Sequence, residues 1–316
     1  MKILVTGADG FVGSQLATIL AGRGHEVVGS VRQRAESSFE RSRRESLGAL
    51  RTVAIELLDP SSVRRAVTEG WDVVVHLAAV SSGADALSDP MRAWEVNALG
   101  TARLAHELGQ SKLRGGDPLL LMISTAEVYG VGPERPRLES DVPRPISPYA
   151  ASKLAAEVAC LEVYRRMGLR VIVVRPFPHA GPGQDTRFVV PAFLERIRFT
   201  KRINAPVVKV GRIDPVREFT HVSDVIEACA LIMESGRAGE VYNVASGRAI
   251  SVKDVFFMLA DAVGHRAIPE MDHELIRPVD VPHLVGDSTK LRSETGWEPR
   301  LTLEQTIREM VDAEAD

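Results

Sequence analysis

The sequence has few cysteines and little excess charge, and both shortages exclude classes of protein. Only two cysteines occur among 316 residues, Cys160 and Cys229, and both lie in apolar helical patterns. Two such residues favour buried free thiols over a disulfide framework and indicate a reducing compartment, the cytoplasm. The net charge of -3 predicts no general affinity for nucleic acid or for an anionic membrane surface.

The chain also lacks a long apolar run and a cluster of metal ligands. No apolar stretch approaches the length of a transmembrane helix, and the opening MKILVTGADG reaches glycine too soon for a signal peptide. The eight histidines are dispersed, without acidic or thiol partners at metal-binding spacing, so no metal site is predicted. We expect His76, His179 and His221 to be structural or to line a substrate. The sequence therefore predicts neither export nor membrane anchoring.

What the sequence does contain is an alternation of short apolar runs with amphipathic segments. The apolar runs are residues 2–6, 26–31, 52–57, 72–78, 119–124 and 170–176, and helical patterns occur at 12–22, 61–69, 92–109 and 149–167. Continuous apolar strands joined by helices are typical of a parallel sheet covered on both faces. The sequence predicts an α/β fold with a Rossmann-like, doubly wound domain over residues 1–175, completed by part of 216–246. Residues 176–316 are expected to form mainly a smaller C-terminal α/β lobe that binds the substrate.

Three glycines follow the first strand at a spacing typical of a dinucleotide-binding turn. In TGADGFVGSQL, Gly7, Gly10 and Gly13 lie between the first predicted strand and the first predicted helix. Glycines there permit tight curvature and close approach of a pyrophosphate, whose charge then lies at the helix N-terminus. We predict that this turn, with Phe11 and Val12, binds NAD or NADP. A tight turn without a ligand is the alternative.

The end of the second strand predicts which dinucleotide binds. An acidic side chain there accepts hydrogen bonds from the ribose hydroxyls of NAD. The segment VVGSVRQR instead carries Ser30 and then Arg32. A hydroxyl and a guanidinium can bind a 2′-phosphate through charge-assisted hydrogen bonds. We therefore predict NADP(H) rather than NAD(H), with the alternative that Arg32 belongs only to the exposed, arginine-rich segment 32–51.

A tyrosine and a lysine four residues apart form the predicted catalytic pair. In SPYAASK, Tyr149 and Lys153 share one face of a helical pattern. A nearby cation lowers the pKa of a phenol from its ordinary value of about 10, which would let Tyr149 exchange protons with a carbonyl oxygen beside a nicotinamide. Ser124 and Thr125, at the end of the fifth apolar run, would add hydroxyl donors to that oxygen. A Tyr-x-x-x-Lys pair alone is more often helix surface, so the prediction also depends on the glycine turn.

Several motifs together resemble a known family. The glycine turn, HLAA (76–79), NALGT (97–101), STAEVYG (124–130), YAASK and RPF (175–177) resemble the extended short-chain dehydrogenase/reductases that act on nucleotide sugars. The segments GPGQDTRFVVPAF, REFTHVSDV and GEVYNVASG resemble the GDP-4-keto-6-deoxy-D-mannose reductases, with the related GDP-mannose 4,6-dehydratases next. The resemblance implies NADPH-dependent reduction of the 4-keto group of a GDP-4-keto-6-deoxyhexose, giving GDP-D-rhamnose or GDP-6-deoxy-D-talose. By analogy with relatives that dimerise through such helices, segments 92–109 and 149–165 imply a homodimer.

The resemblance also implies roles for individual residues. It assigns Thr125 as the catalytic hydroxyl, Tyr149 as the acid/base and Lys153 as the ribose-binding lysine. The other implied cofactor contacts are Glu56 and Leu57 beside the adenine, Leu77, Ala78 and Ala79 beneath the cofactor, and Pro176. The implied substrate contacts are Ser124, Glu127, His179, Val190 in the base pocket, and Arg217 and Arg277 on the diphosphate. For these arginines, an ion pair with Glu218 or Asp280 is the alternative.

The sequence departs from the family at two positions. Pro178 stands where the family has asparagine, and proline lacks both the amide side chain and the backbone donor. Ala126 stands where one group of dehydratases has aspartate, but Glu127 is retained, and a dehydratase would use it to remove a proton at carbon 5. A redox-neutral 4,6-dehydratase or 4-epimerase acting on GDP-mannose or UDP-glucose is therefore the alternative enzyme. A dinucleotide sensor without catalysis is the third hypothesis, which the retained catalytic residues disfavour.

Overall fold

Strands and helices alternate along the first half of the chain, as the apolar pattern predicts. The structure is a computed structural model that describes residues 1–32, 38–276 and 278–313. Its strands are β1 (Lys2–Thr6), β2 (Glu26–Val31), β3 (Arg51–Ala54), β4 (Val73–His76), β5 (Leu119–Ile123), β6 (Arg170–Pro176), β7 (His179–Ala180), β8 (Val207–Val210), β9 (Val216–Arg217), β10 (Thr220–His221), β11 (Val241–Val244), β12 (Ile250–Ser251) and β13 (Ile268–Met271). Its α-helices are α1 (Phe11–Gly22), α2 (Ser38–Ser46), α3 (Pro60–Val67), α4 (Gly83–Ser88), α5 (Pro90–Ala93), α6 (Thr101–Leu113), α7 (Pro148–Met167), α8 (Val189–Arg202), α9 (Val222–Ser235), α10 (Val252–Val263), α11 (Thr289–Thr295) and α12 (Leu303–Ala313). A π-helical turn, Trp94–Gly100, joins α5 to α6, and 3₁₀ turns occur at Ala126–Tyr129 and His273–Leu275.

Seven of these strands form one parallel sheet, in the order β11-β6-β5-β4-β1-β2-β3. The order reverses at β1, because the chain proceeds from β1 to β3 on one side and then continues from β4 on the other. In open α/β sheets, ligands bind at such a switch point, beyond the carboxyl ends of the strands. The predicted Rossmann-like, doubly wound sheet is confirmed, and its switch point lies between β1 and β4.

Apolar side chains cover both faces of this sheet. Successive strand residues point to opposite faces, so Ile3 and Val5 pack in one apolar cluster with α1 and α9, while Leu4 packs in another with α3, α6 and α7. Burial on both sides explains why these strands are continuous apolar runs in the sequence. Strand β11 and helix α9 come from later in the chain, and both lie within the segment 216–246 that was expected to complete this domain.

The C-terminal part of the chain builds a separate apolar core. Helices α8, α10 and α12 pack together with β8, and the rings of Phe193 and Phe256 meet edge to face at 5.4 Å. Strands β8 and β13 form a parallel pair, and β7–β10 and β9–β12 form two further short pairs. The boundary of the two domains at residue 175 stays a prediction.

The two cysteines are buried free thiols, Cys160 on α7 and Cys229 on α9. Burial raises the pKa of each thiol to about 12, which keeps both protonated and unreactive at neutral pH. These positions agree with the predicted buried free thiols. Within the described ranges, no helix combines the length and the hydropathy that a membrane span requires.

Candidate active site

The glycine turn joins β1 to α1 at the switch point of the sheet. Gly7 has a φ of +69°, in the left-handed region, and a Cβ there would lie 2.9 Å from the Ala78 nitrogen. At Gly13, a Cβ would lie 2.1 Å from the Gly7 carbonyl oxygen, so a larger residue would force the helix away from the turn. Gly10 is the N-cap of α1 and has no side chain to cap the helix, which leaves the first backbone N–H groups of the helix available to an anion. The turn therefore fits the pyrophosphate of a dinucleotide.

The other predicted cofactor residues lie where parallel strands end, at the same edge of the sheet. Ser30 and Arg32 lie at the end of β2, Glu56 and Leu57 follow β3, Leu77, Ala78 and Ala79 follow β4, and Pro176 ends β6. The backbone nitrogens after β4 donate to the Thr6 hydroxyl at 3.2 Å, which joins this loop to the glycine turn. The side chains differ in solvent exposure, since Glu56 is exposed whereas Ser30 and Leu57 are buried. The structure gathers these residues, and their individual contacts stay predictions.

His76, at the end of β4, is a buried structural histidine. Its ring nitrogens hydrogen-bond to the hydroxyls of Thr6 at 2.8 Å and Thr101 at 2.9 Å. Burial, and to a lesser extent the positive charge of Lys153, lower the pKa of His76 to about 3. The ring therefore stays neutral and joins β4 to β1 and α6. His221 also has a structural contact, because its Nδ1 caps α9 by accepting a hydrogen bond from the Ser223 nitrogen at 3.1 Å.

Tyr149, Lys153 and Thr125 lie together at the carboxyl end of β5. Helix α7 begins at Pro148, and the Ser147 hydroxyl caps it by accepting a hydrogen bond from its third residue. Proline at the first position and serine before it are strong helix-start signals, so the first turn carrying Tyr149 is well defined. Thr125 lies two residues after the end of β5, and its hydroxyl accepts a hydrogen bond from the Glu127 nitrogen in the following 3₁₀ turn.

The pKa of Tyr149 is raised rather than lowered. Burial is the main cause, the Glu127 carboxylate adds to it, and the Thr125 hydroxyl opposes part of the rise. The Lys153 ammonium donates to the Ile123 carbonyl oxygen at the end of β5. The predicted lowering of this pKa by the lysine is therefore wrong, because burial and a carboxylate dominate at the phenol. Like an ordinary phenol, Tyr149 is protonated at neutral pH, so it carries the proton that a ketone oxygen would accept, although the raised pKa makes it a weaker acid.

Asn97, in the π-helical turn, holds the start of α7 in place. Its side-chain nitrogen donates to the Val80 carbonyl at 3.1 Å and to the Ser152 hydroxyl at 3.0 Å, and its oxygen accepts from the Val80 nitrogen at 2.8 Å. Ser152 in turn donates to the Tyr149 carbonyl oxygen at 2.8 Å. This residue was not predicted from the sequence. Its only signal was the NALGT motif, since a buried asparagine and a π-turn have no periodic pattern.

Ser124 belongs to a buried ionic network instead of facing the substrate cleft. Its hydroxyl donates to Glu157, which also accepts from Arg175 at 3.0 Å and 2.6 Å. The Arg175 guanidinium lies 4.8 Å from the centre of the Tyr129 ring. Because Ser124 is only 3% exposed and already has this partner, its predicted contact with the substrate is not supported. Thr125, the next residue along, is the hydroxyl near Tyr149.

His179 lies beside the glycine turn. Its ring is parallel to that of Phe11, with the ring centres 6.2 Å apart, and its Nδ1 lies 3.1 Å from the Phe177 carbonyl oxygen. Burial lowers the pKa of His179, so the ring is neutral. Pro178, the departure from the family, contributes its carbonyl oxygen to a bond with the Thr220 nitrogen at 3.0 Å. This segment therefore connects the turn with the C-terminal elements.

The remaining predicted substrate residues are not gathered in the same way. Val190 is 1% exposed and packs in the core of the C-terminal elements, so its side chain is not positioned to line an open base pocket. Arg217 donates to Asp280 at 2.5 Å, the ion pair that was the alternative to a diphosphate contact. Arg277 lies outside the described residues. Glu127 is partly exposed near Tyr149, where its charge affects the phenol.

Comparison with known proteins finds relatives along almost the whole chain. A family model described as GDP-mannose 4,6 dehydratase matches residues 4–310. The chain is 35% identical over 312 residues to GDP-6-deoxy-D-mannose reductase of Pseudomonas aeruginosa, covering 97% of this chain and 95% of that protein. The match therefore includes the dinucleotide-binding elements and the C-terminal elements together.

Solved structures share this fold and contain two different dinucleotides. RMD from Pseudomonas aeruginosa complexed with NADPH aligns with a TM-score of 0.80 at 32% identity, over 99% of this chain and 98% of that one. A UDP-glucose 4-epimerase of Thermus thermophilus in complex with NAD aligns with a TM-score of 0.85 at 32% identity, again over 99% and 98%. The likeness supports a nicotinamide dinucleotide without choosing between the two forms.

Proposed function

This chain belongs to the GDP-mannose 4,6-dehydratase family of NAD(P)-dependent extended short-chain dehydrogenase/reductases, and from that premise we propose that it reduces the 4-keto group of a GDP-4-keto-6-deoxyhexose with NADPH. The product would be GDP-D-rhamnose or GDP-6-deoxy-D-talose. The observation that carries the reaction type is the proximity of a protonated Tyr149 to Thr125 at the carboxyl end of β5. The substrate class is supported by the 35% identity to a GDP-6-deoxy-D-mannose reductase.

In this proposal each catalytic side chain has one task. Tyr149 donates its proton to the ketone oxygen, and Thr125 donates a hydrogen bond to the same oxygen. Lys153, whose ammonium bonds to the Ile123 carbonyl oxygen at the end of β5, would supply a donor to the cofactor ribose. Hydride is supplied by the reduced nicotinamide when the cofactor is bound. Asn97 and Ser152 keep the first turn of α7 oriented throughout.

NADPH is the proposed cofactor because the end of β2, residues 29–32, carries Ser30 and Arg32 and no carboxylate. Arg32 follows that strand, where NAD-binding folds place an acidic side chain, and its positive charge favours the 2′-phosphate. The NADPH-bound structure of a similar protein also supports this choice. Comparable dissociation constants for NADH and NADPH would overturn it.

An assay of cofactor oxidation tests the proposed reaction. The protein is mixed with NADPH and a panel of GDP-, dTDP- and UDP-linked 4-keto-6-deoxy sugars. We expect loss of NADPH absorbance in proportion to product with the GDP-linked substrate, and NMR of that product gives the configuration at carbon 4. The same assay with NADH is the control for cofactor choice. Stable NADPH absorbance across the whole panel would rule the proposal out.

Glu127 supports one alternative function. Its carboxylate lies close enough to Tyr149 to raise the pKa of that phenol, so a base is available beside the acid. A redox-neutral 4,6-dehydratase would use this base to remove a proton from carbon 5. Such an enzyme, or a 4-epimerase, would convert GDP-mannose or UDP-glucose with no net change in NADPH, which the same assay distinguishes.

The pKa of Lys153 predicts how turnover depends on pH. Burial lowers this pKa to about 8, and the neighbouring Glu157 and Cys160 oppose part of the shift. A lysine loses its charge as pH rises through its pKa, so kcat/KM for NADPH should be level near neutrality and fall above about pH 8. A Lys153→Arg variant keeps its charge and should lack this decline, whatever its maximal rate. A wild-type kcat/KM for NADPH that stays constant through the alkaline range would contradict the proposed role of the Lys153 charge.

A homodimer and a cytoplasmic location complete the proposal. Apolar side chains on the predicted dimer helices face solvent, with Leu99 53% and Val158 60% exposed. Helices α6 and α7 pack against each other, so their outer faces can meet a second copy as a four-helix bundle. The two buried free thiols agree with a reducing compartment.

A further inference from the structure

Arg44 on α2 bridges the glycine turn and the end of β2. Its Nε and Nη2 both lie 2.8 Å from Asp9 Oδ2, and Nη2 also donates to the Arg32 carbonyl oxygen at 2.6 Å. The Asp9 side chain is 8% exposed and that of Arg44 is 24% exposed, so water screens this pair only partly. The arginine therefore connects the two segments expected to bind the pyrophosphate and the 2′-phosphate.

The position of Asp9 requires a neutralising partner. Asp9 directly precedes Gly10, the N-cap of α1, and lies inside the turn that fits a pyrophosphate. A lone carboxylate there would repel the two phosphates of any nicotinamide dinucleotide. With the Arg44 guanidinium on its oxygen, the turn presents no net negative side-chain charge.

We propose that Arg44 is a positioning residue that controls dinucleotide affinity in two ways. It cancels the charge of Asp9, which favours NADH and NADPH equally. It also holds the main chain of Arg32 at the end of β2, which favours only the form that carries a 2′-phosphate. The second effect rests on the NADPH preference proposed above, and the first does not.

Dissociation constants of four variants separate these effects. The variants are Arg44→Gln, Asp9→Asn, the double variant Asp9→Asn/Arg44→Gln, and the control Arg41→Gln, which removes an equal charge from an exposed site on the same helix. NADH and NADPH binding is measured by calorimetry on the full chain, and thermal unfolding shows that each variant is folded. The dissociation constant of NADH measures only the cancelling of the Asp9 charge, called the Asp9 effect. The ratio of the NADH and NADPH dissociation constants measures the holding of the Arg32 main chain, called the Arg32 effect.

We expect Arg44→Gln to weaken NADH binding about tenfold, as for an unmasked and partly buried charge near phosphates. It should weaken NADPH binding by a further factor of about five, the net contribution of a typical hydrogen bond. In the double variant, NADH affinity should return to near the wild-type value, while the additional NADPH loss remains. Arg41→Gln should change neither the NADH nor the NADPH dissociation constant.

Three results would overturn the proposal. If Arg44→Gln has no greater effect than Arg41→Gln, the bridge does not control affinity. If adding Asp9→Asn to Arg44→Gln does not restore NADH binding, Arg44 acts through general structure and not through the carboxylate. If the wild-type protein binds NADH and NADPH equally, the Arg32 effect and the proposed cofactor preference fail together, while the NADH measurements still decide the Asp9 effect.

Discussion

Replacing Tyr149 by phenylalanine is expected to lower kcat about a thousandfold, the usual contribution of a general acid. The variant keeps the ring and removes only the hydroxyl that would protonate the sugar ketone. The glycine turn and the strand ends, which supply most of the predicted cofactor contacts, are unchanged, so the dissociation constant of NADPH should change little. Stopped-flow or steady-state oxidation of NADPH, together with binding by fluorescence, measures both quantities.

A second tyrosine on the same helix offers a matched control. Tyr164 lies 15 residues further along α7, about 22 Å away at the rise of an α-helix. Tyr164→Phe removes an equivalent hydroxyl and should leave kcat unchanged. Undiminished turnover in Tyr149→Phe would refute the role of this phenol. Loss of cofactor binding together with turnover would indicate a structural defect, which thermal unfolding of the variant would reveal.

The parts of the fold that sequence could predict are those with a local cause. Continuous apolar runs indicate strands buried on both faces, and each of the six predicted strands ends within three residues of its predicted boundaries. Gly7 and Gly13 indicate a tight turn, and a Cβ at either position would collide with the backbone. The start of α7 has both a proline and a serine cap, so the helix bearing Tyr149 was placed correctly.

Partners from distant segments could not be predicted in the same way. The helical spacing of Tyr149 and Lys153 is correct, but the ammonium bonds to the Ile123 carbonyl on a strand 30 residues earlier. Ser124 ends an apolar strand, and only the packing of α7 reveals that its hydroxyl meets Glu157. Arg44 lies in an arginine-rich segment without periodicity, so its contact with Asp9 had no sequence signal. Periodicity predicts which face of an element is buried, whereas specific polar contacts depend on how elements pack.

The buried Glu157–Arg175 pair is expected to have the largest effect on stability. Arg175→Met should lower the free energy of unfolding by about 3–5 kcal/mol, because it leaves a buried carboxylate without its main partner. The double variant Glu157→Met/Arg175→Met should cost less than the sum of the two single changes, since no isolated charge then remains. Urea unfolding measures each free energy. The exposed ion pair of Glu162 and Arg166 on the same helix is the control, and Glu162→Gln should produce no measurable change.

The same pair also connects stability to catalysis through Lys153. The Glu157 carboxylate raises the pKa of Lys153 against the lowering caused by burial. Removing that carboxylate in Glu157→Gln should therefore lower the lysine pKa further below about 8. The alkaline decline of kcat/KM should then begin at a lower pH than in the wild-type protein, whereas Glu162→Gln should leave it in place. A Glu157→Gln variant that is destabilised but keeps the wild-type pH profile would mean that this carboxylate supports the fold without influencing Lys153.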